Sequence, residues 1–224
     1  MKKKTVILVT IIALLTGCLS FWFVCSTTAK GLYGLFVRGL GVEAVCDVRI
    51  HIVDSSDNDV VEFLEDEQFS IWDIKSKLKE NSEGQSVYYT YLYEETDNPL
   101  LALLIPGGSD SIYQGSYMLF FSIMDGKIHL VSFTRPLGRY GIINLANNGL
   151  ILSESGLSDG SNYLVDAYYV GQDGQINTCF FLDSNDEDAL MKKVDKELKN
   201  LGYDINAEDF FNLEADCVEW KKIN

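Results

Sequence analysis

Between positions 44 and 53 apolar and polar residues alternate. Cys46, Val48, Ile50 and Ile52 fall on one face, and Asp47, Arg49 and His51 fall on the other. A period of two belongs to a strand with one buried face, so we expect a single half-buried strand over 44–53. Ser55-Ser56-Asp57-Asn58-Asp59 then breaks the pattern and offers a helix cap. From 60 to 80 the period lengthens. Ile71, Ile74 and Leu78 recur at three and four, which predicts one or two helices. A turn cluster follows at 81–85.

The centre reads as hairpins. A tyrosine-rich strand over 87–93 is turned by Asp97-Asn98-Pro99 into the apolar run 100–105. Residues 117–124 meet Asp125-Gly126 and return over 127–133. Asp-Gly between two such runs is a strong hairpin signal, because a type I′ turn needs positive φ at both central residues. Residues 142–146 turn at Asn147-Asn148-Gly149 into 150–153, and 164–170 turn at 171–175 into 176–182. Leu190, Val194, Leu198 and Leu201 then recur at helical spacing, with acids at the start, lysines in the body and Gly202 just past the end. A short helical turn is expected over 207–211, and Val218 and Trp220 offer a final docking contact. The predicted class is α+β: an antiparallel meander of about eight strands, curved or two-layered, with flanking helices.

The first residues follow other rules. Lys2, Lys3 and Lys4 form a basic head, and residues 5–29 contain no charge. Within them Leu15-Thr16-Gly17-Cys18 fits an export signal cut before a cysteine that then receives lipid. No polar tether follows Cys18. Leu19, Phe21, Trp22, Phe23 and Val24 continue the apolar run, and residues 6–25 are enough to cross a hydrocarbon core of about 30 Å. Two readings therefore stand, a lipoprotein lipidated at Cys18 and an uncleaved signal-anchor helix. Both put the positive head inside and the body outside. We divide the chain into a signal or anchor (1–25), a flexible Gly-containing link (26–43) and one extracytoplasmic α+β domain (44–224).

The stretch from Tyr91 to Leu104, the turn Met124-Asp125-Gly126-Lys127-Ile128 and the turn Asn147-Asn148-Gly149-Leu150 together carry a resemblance. Over about residues 60–182 the chain resembles exported lipoproteins of Gram-positive bacteria, mostly uncharacterised, that combine a lipobox with a β-hairpin meander domain. The resemblance implies location and fold type, and no activity. The turn that is aspartate-rich in that group reads Glu94-Glu95-Thr96-Asp97-Asn98-Pro99 here, without the glycine and alternating oxygens of a calcium loop.

Charge narrows the function classes. Of 224 residues, 18 are Lys or Arg and 33 are Asp or Glu, a net charge of −15. Removing Lys2, Lys3 and Lys4 leaves 15 basic residues against all 33 acidic ones. Such a body does not neutralise phosphates, so nucleic acid is excluded as a general partner, and overall charge disfavours electrostatic docking on anionic lipid.

Candidate chemistry is sparse. His51 and His129 are the only histidines, and no Cys-x-x-Cys or His-Glu-x-x-His occurs, so we assign no metal and no cofactor. Asp183, Asn185 and Glu187 begin like a calcium loop, but Asp188 and Val194 stand where Gly and Glu are needed; a helix N-cap is the simpler reading. No nucleophile elbow or phosphate loop is present, Pro106 to Ser111 included, and no catalytic residue is assigned. Cys25, Cys46, Cys179 and Cys217 allow three pairings; Cys25, at the membrane edge, is a poor partner, which leaves one bridge among Cys46, Cys179 and Cys217 open beside buried thiols. Tyr89, Tyr91 and Tyr93 would share one face of a strand, a platform for peptide side chains or sugars as well as ordinary cross-strand packing.

The expectation is a membrane-anchored extracytoplasmic binding protein of the bacterial envelope, with a protein, peptide or glycan ligand. The alternatives are an envelope-polymer hydrolase using carboxylates the sequence does not mark, and a purely structural lipoprotein.

Overall fold

In a computed structural model of the chain, residues 28–53, 60–81, 86–106, 116–136, 141–156, 162–212 and 217–224 are described, the side chains of 51–53, 60–61 and 79–81 excepted. Cys18 and Cys25 with the rest of the apolar segment, the break at 55–59, the turn at 82–85 and the Gly-Gly-Ser loop after Pro106 lie outside the described residues.

The elements run α1 (Ala29–Val37), β1 (Ala44–Cys46), β2 (Ile50–Val53), β3 (Val60–Phe63), β4 (Gln68–Phe69), α2 (Ile71–Asn81), β5 (Tyr88–Leu92), β6 (Leu100–Ile105), β7 (Tyr117–Met124), β8 (Lys127–Thr134), β9 (Ile142–Leu145), β10 (Leu150–Gly156), β11 (Tyr163–Val170), β12 (Ile176–Ser184), α3 (Glu187–Asn200), α4 (Ala207–Phe211) and β13 (Lys221–Lys222). They build a mixed α+β fold. Its sheets are a seven-stranded one in the order β13-β5-β6-β7-β8-β1-β4, a four-stranded one in the order β12-β11-β10-β9, and the β2–β3 hairpin. The strand pairs are antiparallel except β1 with β8.

Strand β6, Leu-Leu-Ala-Leu-Leu-Ile, is buried at every position. A run apolar at all positions suits a strand covered on both faces, and both covers are present. Leu101, Leu103 and Ile105 pack with Tyr33 and Phe36 of α1 and Ile71 and Ile74 of α2. Leu100, Ala102 and Leu104 meet Ile143, Leu145, Ile151 and Val170 of the second sheet. The other face of that sheet, with Leu150, Leu152, Val165 and Ala167, is closed by Leu190, Val194 and Leu198 of α3 and by Phe210 of α4. The layers are thus helices, sheet, sheet, helices, with each fully buried Leu or Phe contributing about 1.5–3 kcal/mol. No helix among the described residues is long and apolar enough to cross a membrane.

The predicted turns form as their chemistry requires. Asp125 and Gly126 have φ of 51° and 74°, the type I′ pattern. Helix α3 starts at Asp186, whose carboxylate accepts from the Ala189 N–H at 3.0 Å, and this is the N-cap expected in place of a calcium loop.

Three expectations are corrected. The strand predicted over 44–53 is two strands, β1 inside the large sheet and β2 in the separate hairpin. The Asp47 N–H donates to the Leu130 carbonyl and the Cys46 thiol to the Val48 carbonyl, and the chain leaves the sheet there. The helix expected from 60 begins only at Ile71; before it, residues 60–63 pair with 50–53. The link at 26–43 is not flexible throughout, because Ala29–Val37 is a helix. Thr28 Oγ1 accepts from the Gly31 N–H at 3.1 Å, and Tyr33, Phe36 and Val37 are buried in the core. Tyr33 also donates its hydroxyl to the Phe121 carbonyl at 2.9 Å, a buried bond that fastens α1 to β7.

Two substitutions test this layering. Phe120 lies fully buried between the sheets, so Phe120→Ala should lower unfolding free energy by about 3–5 kcal/mol. Gly34 is helical, and a Cβ there meets nothing within 4 Å; Gly34→Ala should raise stability by about 0.5–1 kcal/mol. Urea unfolding followed by circular dichroism measures both, and a destabilised Gly34→Ala would contradict the open packing at that position.

Candidate functional site

The C-terminal segment straps the two sheets together. Cys217 bridges to Ala146 and the Val218 N–H donates to the Leu145 carbonyl, so the segment starts on the β9 edge of the second sheet. It then crosses to the first sheet, where Lys221 and Lys222 pair with Tyr89 and Tyr88 and the Ile223 N–H donates to the Val87 carbonyl. Pairing goes no further along β5. Among the described residues, Thr90, Tyr91 and Leu92 have a strand neighbour only on the β6 side. Backbone groups on one edge of a strand recur every second residue, so the register set by Val87 and Tyr89 turns the N–H and C=O of Tyr91 toward the open side.

A cavity of about 520 Å³ lies in this corner. Tyr91, Tyr93, Glu95, Asn147, Glu219 and Lys221 are among its walls. Tyr91 is half-buried against the core, with its ring 6.1 Å from that of Tyr33 and 5.7 Å from that of Tyr89. Burial, and then Tyr89, pushes its hydroxyl pKa up to about 12. Beside it Glu94 pairs with Lys30 at 3.5 Å.

Tyr89, Tyr91 and Tyr93 do not form the flat row that alternation suggested. Tyr89 and Tyr91 share the α1 side of the sheet, but Tyr93 has φ of 56° and leaves the row. This left-handed conformation is uncommon for a bulky residue. It sends the Tyr93 side chain between the sheets, where its hydroxyl donates to the Val170 carbonyl and lies 3.3 Å from that of Asn148. Gly149 makes room, since a Cβ there would lie 2.3 Å from the Tyr93 Oη. Burial raises the Tyr93 pKa above the usual range, with Tyr169 adding to the effect. Tyr93 is thus a peg between the sheets and one wall of the cavity; Tyr91 is another wall; Tyr89 belongs to the packing. Cys18 lies outside the described residues.

The other constellations are less complete. His129 Nδ1 stands 2.9 Å and 3.1 Å from the two carboxylate oxygens of Asp47. Ser122 is opposite His129 in the β7–β8 ladder, yet no hydrogen bond joins them, so a Ser–His–Asp relay lacks its first link. Cys46 and Cys179 are free thiols, and the Cys217 thiol donates to the Phe210 carbonyl at 3.4 Å. No bridge joins Cys46 to the others because Cys46 is buried on the α1 side of the large sheet, while Cys179 and Cys217 pack on the far side of the second one. Burial pushes the Cys46 thiol up to about 11. A second cavity of about 550 Å³ between α3, α4 and the end of β10 gathers Glu154, Glu187, Asp188 and Glu208; burial, and then Glu187, raises the Glu154 carboxyl.

Sequence reasoning missed one further group. Asp166 and Ser153 are register partners on the inner face of the second sheet, and both are buried. Among the described residues, the hydroxyls of Ser153 and Ser155 have no hydrogen-bond partner. Burial raises the Asp166 carboxyl above its usual range, with a Tyr168 hydrogen bond working the other way. The alternation of Ser153 and Ser155 with Leu152 and Glu154 was the available signal, but it marks two faces without saying which is inner.

No protein-family model matches the chain, and neither a curated protein nor a solved structure matches it.

Tyr93→Phe removes a hydroxyl from two carbonyls and should cost about 1–2 kcal/mol, read from urea midpoints. For Asp166 the folded chain holds the proton more tightly than the unfolded chain does. Its favourable contribution is complete below the ordinary Asp value of about 3.9 and is lost as pH rises through the folded value. The stability of Asp166→Asn relative to the wild type should therefore improve as pH rises above about 4 and level off once the folded value is passed. A difference independent of pH would remove Asp166 as the titrating group.

Proposed function

We propose that the protein is a binding module of the bacterial cell envelope, held on the extracytoplasmic face of the membrane through its first 25 residues by lipid on Cys18 or by a signal-anchor helix. In this reading it captures an extended segment of a partner polypeptide at the open stretch of β5. The observation that carries the proposal is the early end of β13, which leaves the outward backbone groups of Tyr91 beside a cavity walled by two tyrosines. An incoming strand gains main-chain hydrogen bonds from such an edge and side-chain selectivity from the pockets beside it. Here Tyr91 and Tyr93 offer apolar contact, while Glu95 and Glu219 favour a basic side chain.

A photoreactive residue at exposed position 147, in the cavity wall of the full chain in intact envelopes, should yield a discrete adduct with a polypeptide. The same residue at exposed position 193 on α3 should not. The adduct should vanish in Glu95→Lys/Glu219→Lys. No adduct from position 147, or equal adducts from both positions, would reject the site.

A further inference from the structure

The two outer helical layers differ in charge. Residues 28–42 and 71–81, which hold α1, its following turn and α2, carry Lys30, Arg38, Lys75, Lys77 and Lys79 against Asp73 and Glu80. Residues 187–212, which hold α3 and α4 on the opposite side, carry four basic residues against seven acidic ones. The basic layer also bears an exposed apolar patch. Trp72 and Leu40 are 48% and 46% exposed. They adjoin, because Trp72 Nε1 donates to the Gly39 carbonyl at 3.4 Å. Lys75 Nζ stands 4.7 Å from the centre of the Trp72 ring, and Arg38 precedes Gly39. An exposed tryptophan and leucine rimmed by lysine and arginine is the composition of a surface that seats at a bilayer interface.

Chain geometry puts this patch near the anchor. The apolar run ends at Cys25, and Thr28 caps α1. Three residues span at most about 10 Å, and the nine residues of α1 add about 13 Å. The 38–41 turn, on which Trp72 packs, therefore lies within about 25 Å of the end of the apolar run.

We infer that the α1–α2 layer, through Trp72, Leu40, Arg38 and Lys75, lies against an anionic lipid surface, with the acidic α3–α4 layer facing away. A net-negative body docks in this way because the field at the membrane is felt within about one Debye length, roughly 8 Å; the cations placed at Trp72 and Leu40 are Lys75 and Arg38, whereas Lys30 and Lys77 are paired with Glu94 and Glu67. The inference rests on the anchored reading above and adds an orientation to it.

The test uses the full chain with Trp22→Phe and Trp220→Phe, which leaves Trp72 as the one tryptophan, in vesicles of brominated phosphatidylcholine with or without phosphatidylglycerol. With phosphatidylglycerol, Trp72 emission should shift to the blue and fall at least about twofold through bromine contact. Arg38→Glu/Lys75→Glu should restore it. The difference between the wild-type chain and Trp72→Phe gives the same readout if the double variant fails to fold. Retention on vesicles after carbonate washing reports the anchor separately. Retention with unquenched, water-exposed emission overturns the orientation and leaves the anchor standing. Quenching that survives loss of retention supports the lipid-facing layer and removes the anchor, and absence of both overturns both.

Discussion

Strand β6 sets the terms for the whole fold. A sheet with an interior strand apolar on both faces can present neither to water, so each face needs a cover. The helices α1 and α2 supply one. The other is a second sheet, which has its own apolar outer face and so requires α3 and α4 in turn. The order helices, sheet, sheet, helices follows from one six-residue run once each cover has to be covered itself.

The two sheets are joined by more than shared apolar surface. In β8, Val131 is an extra residue, since Phe120 pairs with Ser132 and Phe121 with Leu130. Such a bulge re-aims the side chains around it. Ser132 then donates to the Gly174 carbonyl in the last hairpin turn, and Val131 sits so close to Gly174 that a Cβ there would be 2.3 Å from it. Tyr93 makes the matching contact from β5 to the 148–149 turn. Glycines at both turns serve twice: they allow positive φ, and they leave space for a side chain from the other sheet. The C-terminal strap adds the third link, along the edges.

Much of this was legible locally. The Asp-Gly and Asn-Asn-Gly turns, the capped and charge-ordered helix α3 and the all-apolar β6 all carry their reasons within a few residues. Helix α1 was hidden because Gly31 and Gly34 argue against a helix, and only burial of Tyr33 and Phe36 against distant strands outweighs them. Strand β3 was hidden because Val60-Val61-Glu62-Phe63 is too short to separate a period of two from one of 3.6. The tyrosine site was legible in part: Tyr91 and Tyr93 do line one cavity. The positive φ of Tyr93 and the point where β13 stops depend on carbonyls and strands far along the chain, and no local pattern encodes them.

The parallel pairing of β1 with β8 has a consequence for how the molecule comes together. It brings together residues as distant as Asp47 and His129, 82 positions apart, whereas β5 to β8 and β9 to β12 are successive hairpins. Closing a long loop must precede the reward of the contact. The hairpins can zip early, each from its own turn. The β1–β4 edge, together with the helix and hairpin packed over it, can dock only once β8 offers its free side. Assembly thus has two tempos, a fast local one for the meanders and a slow topological one for the edge.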